Sequence, residues 1–242
     1  MKISCLAITE NRPEFAQWLA WNYNKQDYRN KELVLVASAM DGKFIQTIRE
    51  QVPGAVIETT VDGAWVPVKR NIAMQLATGD VITWFDDDDW SSHKRLSVAA
   101  KVYEGHQALF PSVTGLYYWD LKRRMAKHFK CGAWSCGIYD RKIALETLFD
   151  EEQRRATDTK WYGAIKTRFH RDSSLSAVEH AMTGHTMAVS HKKNISNPQW
   201  KASRMSHKYD FDHVMERLVL APGESEVIRE HLERIRKLQG IQ

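Results

Sequence analysis

The sequence predicts an α/β fold, a single domain around a mostly parallel central sheet with helices on both faces and a C-terminal helical tail. Three observations carry that expectation. Between residues 3 and 103, short apolar runs alternate with stretches whose apolar residues recur at helical spacing. The last stretch of the chain is amphipathic. With 242 residues, 43% hydrophobic and 27% charged, the chain can bury a sizeable core without a disulfide or metal staple.

Ile3 to Thr9 is short and apolar and reads as the first buried strand. Pro13 suits a helix start, and Phe15, Trp18, Leu19 and Ala20 lay an apolar stripe along Pro13 to Trp21. Leu33 to Val36 is a second strand. Phe44, Ile45, Ile48 and Val52 mark a helix that stops before Pro53-Gly54, and Ala55 to Thr60 is the third strand. Val68, Ile72, Ala73, Leu76 and Ala77 form a stripe closed by Gly79. Val81 to Phe85 is a fourth strand that runs straight into Asp86-Asp87-Asp88-Asp89, and Arg95 to Tyr103 is a fourth helix.

The second half is less regular. Gly115 to Trp119 and Met125 to Phe129 read as a hairpin across Lys122-Arg123-Arg124. Ile143 to Leu148 and Lys160 to Lys166 read as short helices, and Thr186 to Ser190 as a late strand. Glu224 to Leu238 is an amphipathic helix with Val227, Ile228, Leu232, Ile235 and Leu238 on one face. That face packs on the core by default, or on a partner.

Composition excludes several classes. No apolar run approaches the ~20 residues of a membrane span. The first nine residues are too short and too soon charged for a signal peptide. Three cysteines, Cys5, Cys131 and Cys136, argue against a disulfide framework and for a reducing, cytoplasmic setting. His128 with Cys131 and Cys136 hints at zinc, but the spacing is irregular and a fourth ligand is missing. The net charge is +5. Lys122, Arg123, Arg124, Lys127 and Lys130 fall in one acid-free stretch, and Lys192, Lys193, Lys201, Arg204 and Lys208 in another. Such stretches hold phosphates or a nucleic-acid backbone, or form a solvated basic surface.

The acid run carries the strongest chemical signal. Two unit charges 5 Å apart cost roughly 3 kcal/mol at an effective dielectric constant near 20, so four carboxylates after a buried strand demand a cation. A hard divalent ion is the natural one. The carboxyl end of a parallel strand is also where open α/β sheets bind ligands. A helix cap before Arg95 is the plainer alternative, but a cap needs one or two acids.

Several pieces then fall in a recognisable order. Ile8-Thr9-Glu10-Asn11-Arg12-Pro13 is similar to the first strand and turn of the GT-A glycosyltransferases of family 2. Lys69-Arg70-Asn71-Ile72-Ala73 resembles that family's Ala-Arg-Asn helix start, and Gly79 to Asp89 its strand ending in the DxD motif. Trp90 through Arg95-Leu96 is similar to the segment that follows. Ser135 to Arg141, Phe149-Asp150-Glu151 and Thr157-Asp158-Thr159-Lys160-Trp161 resemble the acceptor-side stretch leading to its catalytic carboxylate, and His191 to Asn197 its late His-x-x-Asn-x-Ser segment. The resemblance spans residues 3 to 200. One departure stands out: where the family has paired acids after the second strand, this chain has Ala37-Ser38-Ala39-Met40 and then Asp41.

The resemblance implies a metal-dependent, inverting transfer of a sugar from a nucleotide donor, a UDP-sugar first of all, to an acceptor hydroxyl. It assigns residues 1–105 to the donor half, 106–205 to the acceptor and catalytic half, and 206–242 to the tail. Asp86, Asp88 and His191 would hold Mn²⁺ or Mg²⁺, which stabilises the leaving diphosphate as a Lewis acid. Thr9, Asn11, Arg12, Arg70 and Asp87 would meet the donor nucleotide or diphosphate, with Asp41 or Ser38 standing in for the missing acids. Asp158 would be the general base, or an N-cap of the helix that follows it. Trp134 and Trp161 are acceptor-side candidates, since aromatic rings stack on sugars and bases alike. The acceptor would be a saccharide or glycan. A hydroxymethylated base in DNA is the alternative that the basic stretches suggest, and a non-catalytic nucleotide or nucleic-acid binding module is a third reading.

Overall fold

The alternating first half folds as its pattern requires. A computed structural model describes residues 1–106, 113–133, 137–153, 157–169, 184–191 and 208–241. Strands β1 (Ile3–Ile8), β2 (Lys31–Ser38), β3 (Val56–Thr60) and β4 (Val81–Trp84) are parallel, with β1 paired to both β2 and β4 and β3 outside β2. A 3-10 turn over Pro13–Phe15 leads into α1 (Ala16–Asn24). The other crossovers are α2 (Gly42–Gln51) and α3 (Val66–Leu76), and α4 (Arg95–His106) follows the acid run.

Strand side chains alternate between two cores, which is why the runs read as wholly apolar. Cys5, Ala7, Leu33 and Leu35 pack with Phe15, Trp18 and Leu19 from the α1 side and Phe44 and Ile48 of α2. Leu6, Ile8, Val34, Val36 and Trp84 pack with Ala73 and Met74 of α3. Gly79 does not cap α3, whose C-cap is Ala77 in an extended conformation. A Cβ at Gly79 would come within 2.6 Å of Ser4 Oγ and 2.8 Å of the Lys2 carbonyl oxygen, so glycine is there to let β1 pass close by.

A second sheet lies outside what the apolar pattern predicts. Strands β6 (Val113–Asp120) and β7 (Met125–Ala133) form the expected antiparallel hairpin. They belong to a five-stranded sheet completed by β5 (Trp90–Ser91), β9 (Thr186–Ser190) and β10 (Lys208–Tyr209), in the order β10-β7-β6-β9-β5. Strand β8 (Ile138–Asp140) returns to the first sheet and pairs antiparallel with β4. Each sheet thus takes one strand from the other half of the chain. Two-residue and three-residue strands carry too few positions for a period-two pattern to show. The two short helices are α5 (Arg141–Leu145) and α6 (Thr157–Phe169).

The tail is α7 (Phe211–Arg217) and α8 (Glu224–Leu238). Ile228, Leu232 and Ile235 of α8 are buried in the same core as α1, while Val227 and Leu238, expected on that face, are exposed. Three residues of α8 fix the docking. Glu224 pairs with Lys25 and accepts a hydrogen bond from Trp90 Nε1 at 3.0 Å. The His231 ring stacks on Trp18, 3.8 Å between centroids and 4° from parallel. Arg234 donates to Gln17 Oε1 at 3.2 Å. Part of the first basic stretch is engaged within the fold: Arg123 pairs with Asp120 and Arg124 with Glu233, both arginines at the surface, and Lys127 is buried.

Burial, with Arg234 adding to it, pushes the His231 pKa down to about 3. In the unfolded chain the group titrates near 6.5, so between those values the unfolded state binds the extra proton. Stability is expected to fall as pH drops below about 6.5, by roughly 1–2 kcal/mol from this residue at pH 5. His231→Phe keeps the stack and should flatten that slope in urea titrations across pH 4.5–7. Buried His185, whose pKa is pushed down to about 4, retains a smaller one.

Candidate active site

The acid run forms a tight turn between β4 and β5, and the chain itself supplies the cation that its repulsion demands. Arg12 reaches across from the β1 turn, with its NH2 nitrogen 2.6 Å from Asp87 Oδ1 and its NH1 nitrogen 2.9 Å from Asp88 Oδ2. Asn11 adopts a left-handed backbone (φ 51°) immediately before it, a conformation that asparagine tolerates better than most residues. Thr9 donates its hydroxyl to Asp87 Oδ2 at 2.7 Å. Both oxygens of Asp87 therefore face partners from the β1 turn. Of the residues expected to meet the donor, Thr9, Arg12 and Asp87 instead hold one another.

Asp88, also buried, extends this network toward β9. Its Oδ2 also faces His191 Nε2 at 2.9 Å, directly after β9. The imidazole is fully buried, lies 4.8 Å from the Phe15 ring, and has Gln239 Nε2 3.3 Å from its Nδ1. Asp89 accepts from the Val189 backbone N–H at 3.1 Å, which ties the turn to β9 and delivers His191. Trp18 and Asn22 of α1 donate to the Asp89 carbonyl oxygen at 3.0 and 3.1 Å.

The four acids are electrostatically unequal. Burial would raise Asp88, but Arg12 and His191 outweigh it and hold its carboxyl below the usual range. Burial pushes Asp87 up to about 7 against the pull of Arg12, and raises Asp86 and, further, Asp89. The largest attraction on Asp86 comes from Arg70. Asp88 is thus the acid kept ready as an anion.

On the other side of β4, Arg70 is buried in α3 and its guanidinium forms an ion pair with Asp158 Oδ1. It lies 5.2 Å from the Trp84 ring and 5.3 Å from Phe149, and burial lowers its pKa to about 10. Asp158 is in the first turn of α6, not at its N-cap, and Thr157 also donates to Oδ1 at 2.9 Å. Asn71 locks the neighbouring turn: its amide donates to the Phe149 carbonyl and to Glu151, and accepts from the Phe149 N–H at 2.8 Å.

Trp161, an acceptor-side candidate, is packed in the core. It is 3% exposed, with its ring stacked on Phe149 at 4.6 Å and edge-on to Trp84 and Tyr139. It backs Phe149 and Trp84, the two rings that lie beside Arg70. Trp90 and Trp119 are likewise core residues, whereas Trp65 is 47% exposed at the start of α3. Trp134, Cys136, Lys192, Lys193 and the remainder of the segment to Asn197 lie outside the described residues. At the end of β2, Asp41 is buried. Its Oδ2 accepts the Ser38 N–H at 3.1 Å, while its Oδ1 has no hydrogen-bond partner; Ser38 Oγ donates to Asp62 at 2.7 Å.

Three side chains that help to build the candidate site escaped sequence reasoning. Lys69, 1% exposed, donates to the Thr9 carbonyl and to Glu10. Arg95 donates to the Trp84 carbonyl at 2.6 Å, to Ser91 Oγ at 2.7 Å and to Thr83 Oγ1 at 3.1 Å, strapping the strand that carries the acids. Gln239 reaches the site from the end of α8. The available signal was cations beside motifs, Lys69 next to Arg70 and Arg95 just past four acids; for Gln239 there was none.

A family model, Glycosyl transferase family 2, matches residues 7–192. The chain belongs to that family. The fold and the glycosyltransferase class expected from the motifs both hold, and no helix among the described residues is long and apolar enough to cross a membrane. Similar solved structures include S. aureus TarS 1-349 in complex with UDP-GlcNAc (16% identity, TM-score 0.61, 80% of this chain and 60% of that one). The UDP complex of the same protein is similar at 17% identity and TM-score 0.58, over 80% of this chain and 59% of that one. The mannosyltransferase PcManGT from Pyrobaculum calidifontis, in complex with GDP-Man and Mn²⁺, gives 16% identity and TM-score 0.54 over 80% and 58%. The matched part is about three fifths of the length of these chains. No curated protein sequence matches.

Removing Arg12 leaves the buried Asp87 and Asp88 carboxylates without their guanidinium partner. Arg12→Ala is expected to destabilise the fold by roughly 3–5 kcal/mol, the usual cost of breaking a buried pair, read by urea denaturation. Added Mn²⁺ should recover part of the loss by replacing the missing positive charge.

Proposed function

We propose that this chain is a metal-dependent, inverting glycosyltransferase that moves a sugar from a nucleoside diphosphate donor to a hydroxyl of a saccharide or glycan. The observation that carries the reading is the convergence of ionised Asp88 and buried His191 at the carboxyl end of β4, with Arg70 and Asp158 paired on its other side. A carboxylate oxygen beside an imidazole nitrogen suits Mn²⁺, and Mg²⁺ less well. Among the described residues no three His, Cys, Asp or Glu side chains converge, so the remaining ligands would be diphosphate oxygens and water. Bound there, the cation supplies charge stabilisation to the leaving diphosphate.

The chain's own residues do the rest. Arg12 and Thr9 fix the acid turn, so that Asp88 is presented without reorganisation. Asp158 accepts the proton of the acceptor hydroxyl as its oxygen bonds to the anomeric carbon and the bond to the diphosphate breaks; one in-line displacement inverts that centre. Arg70, donating to Oδ1, orients the carboxylate. The unpartnered Oδ1 of Asp41, with Ser38 and Asp62 beside it, supports a nucleoside contact at the end of β2. UDP is the first candidate, because TarS structures hold UDP and UDP-GlcNAc. Residues 1–105 would carry the donor side and 106–205 the acceptor side, with β5 and β8 stitching them together.

Thermal melts with UDP, GDP, dTDP and CMP, with and without Mn²⁺, test the donor site. A nucleotide at 100 times its dissociation constant adds about 2.7 kcal/mol, and that gain should need Mn²⁺ and vanish in Asp88→Asn. Asp158→Asn should keep the gain and lower sugar transfer about 10²–10⁴-fold. A melt shift equal in wild type and Asp88→Asn would sink the donor-site reading.

A further inference from the structure

Between the β6–β7 hairpin and the tail helices lies a pocket of about 60 Å³ that contains none of the acid-turn residues. That is room for a handful of waters or one tetrahedral oxyanion. Its floor is apolar and closed: Trp119, Leu121 and Leu232 are all buried. Three arginines also line it. Arg229 and Arg236 stand seven residues apart on α8, on the face that carries Leu232 and Glu233. Arg124 comes from the hairpin turn, which follows β6.

The cations outnumber the acid that meets them there. Glu233 is the one carboxylate among the described residues lining the pocket, and it serves two arginines. Its Oε1 lies 2.8 Å from Arg124 NH2 and its Oε2 3.5 Å from Arg236 NH1. The partners of Arg229, Asp212 at 2.8 Å and Glu226 at 3.8 Å, are exposed side chains outside the pocket, where water screens them. The Arg229 guanidinium lies 4.1 Å from the centre of the Phe211 ring, which stands edge-on to Trp119. Arg236 Nε is buried with no hydrogen-bond partner, a donor left over inside the fold. Arg124 holds a left-handed backbone, φ 54°, which glycine or asparagine would adopt with less strain. That strained position delivers a guanidinium to the pocket.

We propose that this pocket binds the terminal phosphate of a small phosphate monoester, with Arg124, Arg229 and Arg236 as its donors. Guanidinium forks match phosphate oxygens in pairs. Three of them around one carboxylate favour a group close to a dianion, as a monoester is at neutral pH. The closed floor leaves one way out, so the phosphate carries one substituent and not two. Bound there, it bridges the hairpin and α8.

Inorganic phosphate is the first probe, with chloride at matched ionic strength as control. In ¹H–¹⁵N spectra of the arginine Nε–H groups, with Arg236→Lys identifying the signal, the Arg236 resonance should shift and saturate with phosphate. Affinity read from that resonance should fall at least about tenfold in Arg229→Gln and in Arg124→Asn, the scale of one charge-assisted hydrogen bond. Arg124→Asn should melt no lower than wild type without phosphate, because asparagine suits the turn and the surface ion pair adds little. Glu233→Gln should bind phosphate more tightly than wild type, since a competing carboxylate is gone; arginines that serve only to pair with Glu233 predict no such gain. Methyl phosphate should bind like inorganic phosphate and dimethyl phosphate at least about tenfold more weakly, having lost one anionic oxygen. An unmoved Arg236 resonance, or a shift that chloride reproduces, overturns the site. So does Arg124→Asn binding like wild type, or Glu233→Gln binding no tighter. Dimethyl phosphate or duplex DNA binding as tightly as methyl phosphate overturns the monoester assignment.

Discussion

The contact between Arg12 and the paired carboxylates of Asp87 and Asp88 is the constraint on which the rest of the site depends. Four acids in a turn that is largely out of water would otherwise repel one another or take up protons. One guanidinium, placed by the 3-10 turn after β1, pairs with two of them at 2.6 and 2.9 Å. Its own charge is stabilised in return, since Asp87 and Asp88 outweigh burial and raise its pKa. The result is an ordered inequality: Asp88 anionic, its three neighbours pushed toward the neutral form. That asymmetry turns a run of identical residues into a site with one ligand-grade carboxylate.

Around that turn the architecture is a set of ties between distant segments. Trp18 and Asn22 hold the Asp89 carbonyl from α1, Val189 holds its side chain from β9, and Arg95 straps the end of β4. Asn71 does the corresponding work on the α6 side, fixing the Phe149 turn above which Asp158 and Arg70 meet. Asn22, Asn71 and Arg95 are polar and buried, and each makes more than one hydrogen bond. Buried polar groups are tolerable only when satisfied in this way, and the reward is geometric definition where two sheets adjoin.

Legibility in the sequence followed physical scale. The parallel sheet was readable because a strand buried on both faces must be a continuous apolar run, as in Leu33 to Val36, and α8 because its buried stripe recurs over fifteen residues. The second sheet was hidden, since β5 and β10 have two residues each and draw their order from partners. The acid run announced a need for positive charge but not its source. A divalent ion and Arg12 satisfy the same electrostatic demand, and only the fold places residue 12 against residue 88. The burial of Trp161 was not legible for a related reason: an aromatic close in the chain to a motif is as able to pack beneath a site as to line it. Tail contacts such as Gln239 with His191 had no signal, because no periodicity links two polar residues forty-eight positions apart.

The stacking of His231 on Trp18, reinforced by Arg234 reaching Gln17 across 217 positions of chain, joins the first helix to the last. Such a closure has a temporal meaning. Loop-closure entropy must be spent before contacts of that separation return anything, so they form late and slowly. On the ribosome, β1 to β4 can pair while His191 and Gln239 are still unmade. The acid turn is then held by Thr9 and Arg12 from the β1 turn before α8 docks. Wherever contacts of such separation form last, Asp88 is paired with Arg12 before the end of α8 reaches His191.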